Sequence, residues 1–285
     1  MSNAQEFKDW QQSQADIAQR EYERRFFAYM NTMGDDIKDR LNNLDDLENL
    51  NRFEIERLIQ DLEAIQDRQY DKARADLIQA LLFLAGYIAL TEGQGLDIEP
   101  ATEDEIKEPL LTMPIAASGM LLLMHINNLV SYNKKRVDNT VRFAWANKMT
   151  IKELKARVVG TALKAYRDGV LGDNKLKARA MIDATIQHSI NTATIETWKR
   201  NDIKYYVLIA EIDSRTTDYC RSINNKVQKV GEGLVPPFHY NCRTKMVDIA
   251  DDGFRESRSV TLKLSDYAPT SSNVTYNSYK KMSNE

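Results

Sequence analysis

"NKLKARAMIDATIQHSINTATIETWKR", residues 174–200, gives way almost at once to "IKYYVLIAEID", residues 203–213. The first stretch carries Leu176, Ala180, Ile186, Ile190 and Ile195 near one helical face and predicts a single long helix. The second is dense in β-branched and aromatic side chains and predicts a buried strand. Downstream, "NNKVQKVGEG" (224–233) predicts a turn with strand-like flanks, and "TKMVDIAD" (244–251) a closing strand. The expected fold is therefore mainly α with a small C-terminal α+β module: long N-terminal helices, then a short β-hairpin sheet near residues 204–250.

Upstream of the junction the chain reads as helix. Phe26, Met30, Met33, Ile37 and Leu41 recur at three and four, with Gly34-Asp35-Asp36 interrupting or restarting the face. Leu44, Leu47, Leu50 and Phe53 fall every third residue, which drifts around a helix and predicts a short connection. Asn51 and Glu54 stand as N-cap and N3 of a capping box, and Ile55, Leu58, Leu62 and Ile65 continue a helical stripe. "ALLFLAGYIAL" (80–90), apolar all round, predicts a helix buried on most sides. Two glycines and a proline predict a loop over 91–105. A second helix is expected from N-cap Thr150, with Glu153 three residues on, to a stop at Gly169. The polar, Ser-rich end of the chain reads as an extended arm or a flexible tail. These readings divide the chain into a helical docking region (1–149), an α+β module (150–250) and an arm (251–285).

Residues 109–133 carry no charged side chain and have the length of a membrane span. Pro114, His125, Asn127 and Asn128 and the polar end at 131–133 favour instead a buried helix or one covered by a partner. The N-terminus is polar and charged and does not read as a signal peptide. The net charge of −3 hides a segregation: residues 1–110 hold 12 basic and 25 acidic side chains, residues 134–202 hold 15 basic and 7 acidic. Such a basic segment suits DNA, an acidic neighbour, or simply a Lys-studded solvated face.

Nothing matches the phosphate-binding glycine loops, H-E-x-x-H or G-x-S-x-G, so nucleotide hydrolysis and standard hydrolase chemistry have no anchor and no enzymatic activity is expected. The informative block is "AEIDSRTTDYCRSINNKVQKVGEGLVPPFHYNCRT", residues 210–244, which concentrates both cysteines and one of the three histidines of the chain. Four readings stay open. Cys220, His239 and Cys242 supply three ligands of the kind Zn²⁺ prefers, with Asp213, Asp218 or water as the fourth. Asp218 as a base beside a metal-polarised water would make the site catalytic. Cys220 and Cys242 could form a disulfide, disfavoured in a reducing compartment. Or His239, Asp213 and Arg243 tie a purely structural knot.

The order Asp213-x-Arg215-Thr216-x-x-x-Cys220, a hairpin containing Lys226-Val227, then Pro236-Pro237-x-His239-x-x-Cys242-Arg243 resembles the phage head-morphogenesis family typified by the Mu F minor head protein. "IDATIQHSINTA" (182–193) is similar to that family's preceding helix, with Thr185 and Asn191 at matching positions. Ala184 and Ile186 flank Thr185 where the family has Arg and Glu, and Thr217 stands where many members have a further Cys. The resemblance spans roughly residues 176–250. It implies a low-copy virion protein at the portal vertex, present in the host cytoplasm during assembly. The portal protein would be its partner, with the major capsid protein and DNA (through 134–202) as further candidates, and its role would be head assembly or genome delivery. Asp213, Arg215, Thr216, Pro236, Pro237 and Arg243 are then structural motif residues; Cys220, His239 and Cys242 as zinc ligands rest on their residue types and not on the resemblance. The competing expectations are a zinc-dependent hydrolase or nuclease and a membrane-active ejection protein inserting 109–133.

Overall fold

A computed structural model describes residues 3–249; the expected arm at 251–285 lies outside them. The described chain is mainly helical with a small sheet at its C-terminal end. Its helices are α1 (Asn3–Asn42), α2 (Arg52–Leu96), α3 (Glu103–Thr112), α4 (Leu122–Ala146), α5 (Ile151–Val158), α6 (Val170–Arg200) and the short α7 (Asp218–Ile223). Strands β1 (Tyr205–Ile209), β2 (Val227–Lys229) and β3 (Lys245–Ile249) form an antiparallel sheet in the order β2-β1-β3.

The apolar stripe of α1 runs unbroken through Gly34: Phe26, Met30, Met33, Ile37 and Leu41 are all buried. The connection expected after it covers residues 43–51, and Asn51 with Glu54 forms the complete capping box that starts α2. The buried positions of α4, from Leu122 and Ile126 through Leu129, Val137 and Val141 to Ala144, also follow one helical face. These faces converge on α6, against which α1, α2, α3 and α4 all pack. Residues 181–195 of α6 are buried on every side. One core of buried side chains runs from Ala15 to Ala193, so α5 and α6 share it with the helices that precede residue 149.

The sequence reading needs four corrections. Residues 91–96 are helix, not loop, because Glu92 is drawn fully inside, where it accepts hydrogen bonds from Gln11 Nε2 (2.8 Å) and Trp198 Nε1 (2.9 Å). Helix α2 then stops at the left-handed Asp97, whose amide, with that of Ile98, returns to the Gly93 carbonyl. The uncharged 109–133 segment is two helices and a turn. Met113, ahead of Pro114, is extended and ends α3, and a tight turn with Ile115 N bonded to Met120 O (2.9 Å) precedes α4. Among the described residues, the helix long and apolar enough to cross a membrane is α2, with a mean hydropathy of 1.5 over its most apolar window, 44% of it buried in the fold. The helix that starts at Thr150 stops at Val158, not Gly169, because Gly160 takes φ +97°. Leu176, placed on the buried face of α6, is 67% exposed, since the buried face of these turns carries Leu171, Asn174 and Ala178 and Leu176 lies off it.

The two charged segments meet each other. Lys134 pairs with Asp67 (2.8 Å), Arg142 with Glu56 (2.6 Å), Lys148 with Glu48 (3.1 Å) and Arg179 with Glu23 (2.8 Å). Arg200 reaches both Glu99 (3.1 Å) and Glu105 (2.8 Å). The acidic neighbour of the basic segment is thus the N-terminal part of the same chain. Each exposed pair contributes at most about 1 kcal/mol, so they set orientation more than stability.

Gly160 and Gly169 close the loop between α5 and α6 by direct backbone approach. A Cβ on Gly169 would lie 2.3 Å from Gly160 N and 2.5 Å from Val159 C, whereas one on Gly86, within α2, meets nothing within 4 Å. Gly169→Ala is expected to destabilise by about 1–3 kcal/mol, and Gly86→Ala to stabilise by about 0.5–1 kcal/mol. Urea denaturation midpoints of the two variants check both signs.

Candidate functional site

Strand β1 places Ala210 at the rim of the sheet, and the chain then turns through 211–217 into α7. Thr217 caps α7, its Oγ1 accepting from Cys220 N (3.3 Å), which is the job done by the side chain standing where a second cysteine was sought. Asn224 holds the far end, its Oδ1 accepting from Ala210 N (2.8 Å). The return from β2 passes the cis Pro236-Pro237 bond, and Asn191 of α6 donates to the Pro236 carbonyl (2.9 Å). At Asn241 the chain turns with φ 57°, and its amide donates to Asp183 Oδ2 (2.9 Å), again on α6. Tyr240 extends to α4, its hydroxyl 3.1 Å from His125 Nε2. The loop that carries His239 and Cys242 is therefore fixed at three points to the helical body.

This brings Cys220, His239 and Cys242 together, every donor atom within 4.8 Å of the others. Cys220 Sγ is 3.2 Å from His239 Nε2 and 3.9 Å from Cys242 Sγ; both thiols are free and buried. Ala210 and Phe238 pack against the two sulfurs. Burial pushes the Cys220 thiol up, but the polar side chains of Thr217, Thr244 and His239 around it outweigh that and leave its pKa below the ordinary value. For Cys242 burial dominates and its pKa is raised.

Beside the sulfurs lies an ionic clasp. Arg243 grips Asp213 with both terminal nitrogens (Nη1–Oδ2 2.9 Å, Nη2–Oδ1 2.6 Å) and also pairs with Glu211 (2.6 Å). Thr216 knots the turn, accepting from Asp213 N (2.8 Å) and donating to the Glu211 carbonyl (2.5 Å). The Arg243 guanidinium, helped by the Arg215 amide, holds the Asp213 carboxyl well below the usual carboxylate range. Arg215 itself points outward, 74% exposed, reaching Asp213 only at 3.4 Å.

Among the sequence-predicted residues, Cys220, His239 and Cys242 converge, and Asp213, Thr216 and Arg243 form the clasp next to them. The candidate fourth ligands do not join. Asp213 is committed to Arg243, and Asp218 sits exposed in the first turn of α7. Of the three knot residues, Asp213 and His239 do bond backbone groups, the Arg215 amide (2.8 Å) and the Tyr240 carbonyl (2.9 Å), while Arg243 is spent on carboxylates. Three contributors were not foreseen: Asp183, Glu211 and Thr244. Only Thr244, directly after Cys242-Arg243, had a sequence signal. Comparison with protein-family models, curated proteins and solved structures finds no match to this chain.

Because the folded-state pKa of Asp213 lies below its unfolded value of about 3.9, the Asp213–Arg243 pair stabilises in full above that value and less as pH falls below it. The Tm difference between the wild-type chain and Asp213→Asn is expected to hold steady above about pH 5 and to narrow between about pH 4 and pH 2. A difference that stays constant across this range would contradict the ionic account of the clasp.

Proposed function

We propose that the chain is a minor head protein of a bacteriophage, bound at the portal vertex and acting in head assembly or genome delivery. The observation that supports this reading is the convergence of the motif residues. Asp213, Thr216, Cys220, His239, Cys242 and Arg243, spread over 31 positions, meet in one clasp, and Asn191 on α6 holds Pro236 in place. Residues that resemble a family motif only by chance have no reason to share a site. The ionic clasp has its acids committed and offers no free base, which suits a module that holds a shape. A mainly helical body with a small sheet bound to one long helix also suits a protein that docks.

DNA stays a secondary candidate partner in this reading, because five of the fifteen cations of residues 134–202 (Lys134, Arg142, Lys148, Arg179 and Arg200) are engaged with acids of the N-terminal part of the chain. Since residues 1–110 contribute to the shared core, a truncation would test folding and not docking. The direct test uses the full chain: co-sedimentation with the portal ring of the phage that encodes it, at low and at physiological salt. Stoichiometric co-migration is the expected outcome; sedimentation apart from the ring at both salts would overturn portal docking.

A further inference from the structure

We propose that Cys220, His239 and Cys242 bind one Zn²⁺ ion, with a water in the fourth position, and that the ion locks α7 to the loop entering β3. This rests on the geometry of the donors and is independent of the portal reading. Tetrahedral zinc, with Zn–S of about 2.3 Å and Zn–N of about 2.0 Å, sets two sulfurs about 3.8 Å apart and sulfur from nitrogen about 3.5 Å apart. The two Sγ atoms are 3.9 Å apart, and Cys220 Sγ lies 3.2 Å from His239 Nε2. Shifts of about 0.3 Å or less bring those two spacings to the ideal values. A disulfide would need the sulfurs at about 2.05 Å, a far larger movement of two anchored segments.

The histidine is prepared for a metal. Its Nδ1 lies 2.9 Å from the Tyr240 carbonyl, an acceptor only, so Nδ1 carries the proton and Nε2 presents its lone pair toward the sulfurs. A backbone carbonyl on the distal nitrogen is the usual way a metal-binding imidazole is oriented and kept in the right tautomer. The loop around it is equally constrained, by Asn241 on Asp183 and by Asn191 on Pro236.

An unpartnered group points to the same place. Thr244, 5% exposed, has a buried Oγ1 with no oxygen or nitrogen partner, and it neighbours both thiols. A hydroxyl there can donate to a zinc-bound thiolate or to a zinc-bound water, which supplies the partner it lacks. Cys220, His239 and Thr244 line a hollow of about 10 Å³, the space of a single water. Binding is an exchange of ligands: the hydrated ion gives up waters, both cysteines lose their thiol protons to solvent, and His239 enters neutral. The sequence distance bridged, from α7 to the edge of β3, makes the ion a structural staple of the sheet.

The test is metal analysis and Co²⁺ titration of the full-length protein, kept reduced with a phosphine. The expected result is one zinc per chain surviving gel filtration. Co²⁺ in its place should show thiolate-to-metal charge transfer and the intense visible bands of a tetrahedral site. His239→Gln and Cys242→Ser are each expected to weaken Zn²⁺ binding by more than about 100-fold, beyond the loss typical of outer-shell changes. Zn²⁺ should raise the Tm of the wild-type chain and not that of either variant. If a variant does not fold, as judged by circular dichroism, the wild-type Co²⁺ spectrum decides. Absence of stoichiometric metal, an octahedral Co²⁺ spectrum without charge transfer, or undiminished Zn²⁺ binding by a folded Cys242→Ser would each overturn the proposal.

Discussion

The central length of α6 has no face in water, and this constrains everything packed around it. Between residues 181 and 195 it carries Asp183, Thr185, Gln187, His188, Ser189, Asn191, Thr192 and Thr194, all buried. A buried polar group without a partner costs about 1–3 kcal/mol, so the neighbours of such a helix must be placed to the ångström. Ser189 donates to the Leu81 carbonyl of α2 (2.7 Å), and His188 to the Leu110 carbonyl of α3 (3.2 Å). Asn191 and Asp183 hold the two ends of the loop that bears the sulfur cluster. Further along, Thr197 accepts from Ala101 N (3.2 Å), and Trp198 donates to Glu92. A greasy helix would tolerate sliding or rotation in its sheath, whereas this one admits a single register.

The same helix relates the body to the sheet. Its apolar residues up to Ala193 belong to the main core; Ile195 and Trp198 belong to a second cluster with Tyr206, Leu208, Ile223 and Met246. Trp198 stacks obliquely on Tyr206 at 5.6 Å, and the Tyr206 hydroxyl reaches the Leu234 carbonyl (2.9 Å) on the way to the prolines. A three-stranded sheet with strands this short would be marginal alone, and its stability comes from packing on the end of α6. Segregated charge works in the same sense: acids on α1 and α2 meet bases on α4 and α6, biasing how the helices dock while leaving little net field.

Much of this was legible locally. The capping boxes at Asn51 and Thr150, the stripe of α1, the strand after residue 203 and the closing strand before residue 250 follow from short-range spacing. Such signals depend on a residue and its neighbours within one turn or one strand. The misread stretches depended on distant partners. Thr91–Leu96 has the composition of a loop, yet Glu92 is held inside by Trp198, 106 positions away. The arrest of α5 at Val158 depends on Gly160 touching Gly169 across a closed loop. Leu176 looks like a core residue from its spacing, but the packed side of that turn of α6 is the one bearing Asn174 and Ala178.

At the candidate site the sequence by itself determined the ingredients: which two cysteines, which histidine, the prolines that shape the return, and the arginine behind Cys242. It also determined the change from helix to strand that sets them at one end of the molecule, because both signals are periodic and local. Only the tertiary structure decided what the ingredients do. It gave Asp213 to Arg243 and withdrew it from the metal-ligand set, turned Asp218 to solvent, and brought in Thr244 together with Asp183 and Glu211, which no spacing marks. The physical reason is that a hydrogen bond or an ion pair is decided by separation in space, and here the partners come from segments up to 115 residues apart, several of them fastened to a helix that can sit in only one way.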